Sequence, residues 1–172
     1  MLADWIGPHG HIVATDFSEV SLKENAKSLP QELRTRVSFV KGDIHDDKLL
    51  DSSTHHLFDY ITCRQGTLSF SDPITVFRNW FKWLKPGGQV IILDGLRTRR
   101  MWDTGPGWGD VVDDLPLSCL QTMATIPYLL QHSGFMVDHC RLLERVNQIF
   151  ASKETQLFEC PRYIVVAHKP QL

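Results

Sequence analysis

An α/β fold built on a mostly parallel sheet is predicted by three observations. Short apolar runs alternate with helix-like stretches along the chain. The runs at 11–16 and 37–43 each end in an acid, Asp16 and Asp43. A third run, Gln89-Val90-Ile91-Ile92-Leu93-Asp94, is almost continuously apolar, as expected for a strand covered on both faces. The last two apolar runs have no clear helix between them, which predicts an antiparallel pair at one edge of the sheet.

Residues 1–6 read as the last turns of a helix closed by Gly7-Pro8. The first strand spans 11–16. Ser18 suits the cap of the helix that follows, and Glu19 suits its first turn. Leu22, Ala26 and Leu29 fall on one helical face, and Pro30 ends it. Residues 37–43 alternate apolar and polar and read as the second strand. A short helix is possible over 46–51, before the third strand at 58–63.

Asp72-Pro73 then opens the strongest helix, an acid cap followed by proline in the first turn. Ile74, Phe77, Trp80, Phe81 and Leu84 form its apolar stripe, read as core contact with a sheet. Lys85-Pro86-Gly87-Gly88 reads as the stop before the strand at 89–94. Residues 97–115 are irregular, and a loop this long is usually functional or disordered. Pro127 is expected to split the next helix into 115–124 and 126–132. Strands from Phe135 to about Arg145 and over 163–168 close the chain, joined through Asn147–Cys160.

Composition narrows the function classes. A chain of 172 residues suits one domain with a real core, and a net charge of -2 gives no broad footprint for nucleic acid. Arg97, Arg99 and Arg100 are read as a solvated loop in preference to an anion site. No apolar run is long enough to cross a bilayer, the N-terminus lacks a signal-peptide pattern, and reduced cysteines in a cytoplasmic protein are the simple reading. Cys63, Cys119, Cys140 and Cys160 are widely spaced, which suggests neither a zinc site nor a disulfide framework; no metal is expected.

Acids at strand ends carry the chemistry. In open parallel sheets ligands sit beyond the carboxyl ends of the strands. A carboxylate there accepts from both hydroxyls of a nucleotide ribose, because it only accepts and a diol donates two hydrogen bonds. Asp16 is read as that acid.

Four segments in this order resemble the class I S-adenosylmethionine-dependent methyltransferases of small molecules. Residues 7–18, ending Thr15-Asp16-Phe17-Ser18, resemble the family's second strand and ribose acid. Val40-Lys41-Gly42-Asp43-Ile44 resembles its third strand with the adenine-side acid. Leu84-Lys85-Pro86-Gly87-Gly88 resembles its turn into strand five, and Leu129-Leu130-Gln131-His132-Ser133-Gly134-Phe135 its step into strand six.

The resemblance covers about residues 5–168 and implies a Rossmann-like three-layer sandwich binding S-adenosyl-L-methionine. It implies that Asp16 holds the ribose and Phe17 packs on the adenine, with plain core packing the alternative for Phe17. It implies that Asp43 accepts from the adenine amino group and that the Ile44 amide donates to a ring nitrogen. A simple turn carboxylate is the alternative for Asp43. Cys63, Arg64 and Gln65 would line the wall near the methyl. The resemblance also implies a small-molecule acceptor, with 97–126, including Trp102 and Trp108, a possible lid over it. Ordinary loop aromatics are the alternative for the two tryptophans.

The family's glycine-rich turn after strand one has no counterpart in its expected place. A ribose acid lies about 20 residues beyond such glycines. Asp16 has 15 residues before it, and they hold no such turn. Asp103-Thr104-Gly105-Pro106-Gly107-Trp108-Gly109 has the literal spacing, but lacks a strand before it and a helix start after it. A single, N-terminally incomplete domain lacking the family's central first strand is therefore expected. Strands 11–16 and 58–63 would then close up directly, or a homodimer partner or complementing chain would fill the slot.

Two rivals remain. A nicotinamide-dependent oxidoreductase of the short-chain class needs a Tyr-x-x-x-Lys pair, and Tyr60, Tyr128 and Tyr163 are followed four residues on by Arg64, His132 and Ala167. A non-catalytic methyltransferase-like remnant or partner subunit needs no complete cofactor site. No residue identifies itself as a catalytic general base.

Overall fold

The computed structural model describes residues 5–50, 57–97, 112–120, 122–144, 148–151 and 157–171. The chain divides into two compact units, Met1–Asp51 and Ser52–Leu172.

In the first unit, β1 (Ile12–Asp16) lies parallel to β2 (Val37–Lys41), with Asp16 opposite Lys41. Helix α1 (Glu19–Ser28) connects them. Ser18 caps it as predicted, its hydroxyl accepting from Ser21 N at 3.2 Å. Leu22 of α1 is buried, as are Leu33 in the 3-10 turn Gln31–Arg36 and Leu50. The Arg36 guanidinium donates to the carbonyls of Gly7 and Gly10, which ties the turn before β1 to the start of β2. The described part of 46–51 is turn, not helix. Asp46 Oδ1 accepts from Lys48 N at 2.9 Å, a side-chain bond that competes with helical pairing.

The second unit holds a four-stranded sheet. Its order is β3 (Phe58–Arg64), β4 (Leu84–Gly95), β8 (Arg162–His168), β5 (Met136–Leu142). β3 is parallel to β4, and β8 runs against both β4 and β5. Three of the four strands thus point one way. The predicted antiparallel last pair is present, with β8 inserted beside β4. The connection before β8 also contains a hairpin absent from the sequence reading, β6 (Gln148–Ala151) with β7 (Leu157–Cys160).

Helix α2 (Pro73–Trp83) starts as predicted: Asp72 accepts from Thr75 N at 3.1 Å and from the Thr75 hydroxyl at 2.5 Å. Its buried face is Val76, Phe77, Trp80 and Trp83, rotated from the expected stripe so that Trp83 is buried and Ile74 only half-buried. Phe70, Phe77 and Trp80 meet edge-on or tilted, with centroids 5.3 to 6.1 Å apart. Lys169 Nζ donates to Phe81 O at 2.6 Å and to Leu84 O at 3.0 Å, using carbonyls that a helix end leaves without intrahelical donors.

Two further expectations are corrected. Lys85–Gly88 lies inside β4, where positive φ at Gly87 and a register shift opposite Phe58–Tyr60 absorb the irregularity. The expected helix over 115–124 does not form among its described residues. Pro116 lacks an N–H, and the Ser118 hydroxyl takes the carbonyls of Val112 and Leu115 at 2.7 and 2.8 Å. Helix α3 (Thr125–His132) carries Pro127 in its first turn, where it breaks nothing, and ends at Gly134 in a left-handed turn. Finally, among the described residues β1 pairs only with β2, and β3 only with β4. The greater part of the possible lid, and with it Trp102 and Trp108, lies outside the described residues.

Candidate functional site

Asp16 ends one strand of a parallel pair, and Phe17, Asp43 and Ile44 follow the carboxyl ends of the two strands. Gly42 N donates to Asp16 O at 3.1 Å, which brings the two exits side by side. The same local device holds both acids. Asp16 Oδ1 accepts from Ser18 N at 2.8 Å, and Asp43 Oδ1 accepts from His45 N at 2.9 Å. Each is an Asx turn, in which a carboxylate takes the amide two residues on. In both, the second oxygen, Oδ2, carries no hydrogen bond among the described residues. The pair therefore offers two oriented acceptors at adjacent strand ends.

The His45 ring adds a second contact to Asp43 Oδ1, from Nδ1 at 2.6 Å. The His45 amide, and then its ring, hold the Asp43 carboxyl below the usual carboxylate range, so it stays ionised into mildly acidic solution. Phe17 is 75% exposed, which rules out the core-packing alternative within this structure. Phe17 follows Asp16 directly in the chain and presents its ring to solvent. Phe17→Ala should thus leave the melting temperature within about 1 °C, since little is unburied. It should weaken binding of an adenine-bearing ligand several-fold, read by titration calorimetry.

In the second unit, Cys63, Arg64 and Gln65 end β3. Gln65 sits at φ 56°, a left-handed position, with its N–H donating to Leu93 O at 2.9 Å. Gly66 follows because a Cβ there would lie 2.9 Å from Cys63 Sγ. Burial, and then the Asp94 charge, push the Cys63 thiol up to about 12, so it is a neutral packing group and not a nucleophile. Arg64 is exposed.

Next to this turn lies a polar cluster that sequence reasoning missed. Asp94, at the end of β4, is fully buried. It accepts from the Thr67 hydroxyl, from Gly95 N at 2.8 Å and from Arg97 at 2.7 Å. Arg97 is 5% exposed, which corrects its reading as part of a solvated loop: the buried Asp94 carboxylate draws it in. Arg99 and Arg100 lie outside the described residues. An acid closing an otherwise apolar strand was the available signal. Among the described residues no group of His, Cys, Asp and Glu could hold a metal.

A parallel strand pair ending in two turn-held acids, and a mixed sheet with one reversed strand, are the parts of a Rossmann-like α/β fold. The comparisons agree. The ubiE/COQ5 methyltransferase family pattern matches residues 1–101. A demethylmenaquinone methyltransferase of Listeria welshimeri is 32% identical over 111 residues, 64% of this chain and 43% of that protein. The chain thus spans less than half the length of that relative. A putative methyltransferase from Bacillus halodurans superposes with a TM-score of 0.72 at 15% identity, covering 99% of this chain and 88% of that one. The [4+2]-cyclase SpnF superposes with a TM-score of 0.66 at 18% identity, covering 95% and 67%.

The chain belongs to the ubiE/COQ5 methyltransferase family. Its architecture is that of the class I S-adenosylmethionine-dependent methyltransferases.

Proposed function

We propose that the chain binds S-adenosylmethionine and transfers its methyl group to a small-molecule acceptor. The observation that carries this reading is the pair of Asx-turn acids, each with an acceptor oxygen carrying no hydrogen bond among the described residues. Their chemistry fits the nucleoside end of the cofactor. Asp16 accepts from the ribose diol, Asp43 from the adenine amino group, and Phe17 stacks on the purine. The Ile44 amide serves a ring nitrogen. Cys63, Arg64 and Gln65 are read as serving the methyl end, with Cys63 as a neutral wall. Bound S-adenosylmethionine supplies an electrophilic methyl on a sulfonium. The residues of the chain bind and orient, and alignment of acceptor and methyl supplies much of the acceleration.

The family match supports the reaction class, which the fold alone does not: a cyclase shares it. The acceptor in the relative's name, demethylmenaquinone, is the first to try. A cytoplasmic protein working as a single domain, with 97–126 covering the acceptor, completes the reading; among the described residues no helix is long and apolar enough to cross a membrane. A homodimer partner or complementing chain belongs to the same reading, and sedimentation at several concentrations tests it. The test is incubation with methyl-labelled S-adenosylmethionine and demethylmenaquinone. Label in the quinone fraction, lost with Asp16→Ala, is expected. A folded chain that neither binds the cofactor nor moves the label would overturn the proposal.

A further inference from the structure

We propose that His45 is a positioning residue that makes the Asp43 site selective for a purine bearing a 6-amino group. The inference rests on the reading of Asp43 as the adenine-side acid and deepens it. Asp43 and Asp16 share the Asx turn, but only Asp43 has a second donor on the same oxygen. The Asp43 side chain is 69% exposed, whereas the His45 ring is 21% exposed. An exposed carboxylate held by one amide can still turn about its last bond. Two donors converging on Oδ1 from different directions, at 2.9 and 2.6 Å, fix the plane of the group. That leaves Oδ2 as an oriented acceptor with no hydrogen bond among the described residues.

For the ring to donate, the imidazole proton sits on Nδ1. A carboxylate oxygen accepts and does not donate, so the position selects a ligand that presents N–H there. An exocyclic amino group satisfies it, and a purine with hydrogen at that carbon does not. His45 acts through Asp43 and touches no reacting atom.

The experiment is calorimetric titration with two ligands, S-adenosylhomocysteine and its analogue in which the adenine lacks the 6-amino group. Wild type, His45→Ala, His45→Asn and Asp43→Ala are compared. The backbone amide of residue 45 survives in both His45 variants, so the turn is retained. His45→Ala should weaken the amino ligand by about 5-fold, the worth of one ordering hydrogen bond, and leave the deamino ligand unchanged. His45→Asn, whose side-chain amide stands near the place of Nδ1, should restore most of the loss.

Equal weakening of both ligands by His45→Ala, or weakening of neither, would overturn the positioning role. If Asp43→Ala weakens both ligands equally, or weakens neither, the reading of Asp43 itself falls. If wild type binds neither ligand, the proposed function falls with it.

Discussion

Asp16→Ala is expected to weaken S-adenosylhomocysteine binding by at least ~100-fold, effectively abolishing it. The carboxylate would take two hydrogen bonds from the ribose, each charge-assisted and worth about 1.5–3 kcal/mol. Every 1.4 kcal/mol is tenfold in affinity. The substitution also removes the acceptor for Ser18 N, at 2.8 Å in the native turn. Ser18 caps α1 through its own hydroxyl, so the helix start survives. Asp16→Asn separates the two effects. It keeps an acceptor for Ser18 N and loses the charge, and its affinity should fall between wild type and alanine. Melting curves on all three proteins check that the fold is intact.

Asp94→Ala is expected to cost about 3 kcal/mol of folding stability, because breaking a buried ion pair leaves a buried charge without its carboxylate. The loss reaches the Thr67 hydroxyl and Gly95 N as well as Arg97. For a chain of this size the melting temperature should fall by roughly 6–12 °C. Asp94→Asn keeps the shape and most of the acceptors and should lose less. Thermal or urea unfolding measures both; a change under about 0.5 kcal/mol for alanine would mean the cluster is not structural in the way described.

The strand exits were legible in the sequence because the device is local. An apolar run followed by Asp-x-Ser or Asp-x-His contains both the acid and the amide that holds it, two residues on. The α2 cap and the proline in its first turn were legible for the same reason. The buried cluster was not, since Thr67 and Asp94 lie 27 residues apart and meet only when β3 and β4 pair. Arg97 looked like a loop cation because the acid that closes the apolar strand, Asp94, was not read as a buried partner three residues before it. The α2 stripe was misplaced by one position because Trp83 and Val76 are as apolar as Ile74, and only the neighbouring strands decide which side turns inward. Pro116 and Ser118 defeated the expected helix over 115–124 through a proline without an N–H and a hydroxyl competing for backbone carbonyls.

The most direct test is calorimetric titration of the wild-type chain with S-adenosylhomocysteine, which probes the cofactor site without an acceptor. Saturable one-site binding, lost in Asp16→Ala, is the predicted result. A chain that melts cooperatively yet gives no heat of binding would contradict the assignment of its two strand-end acids to a nucleoside cofactor.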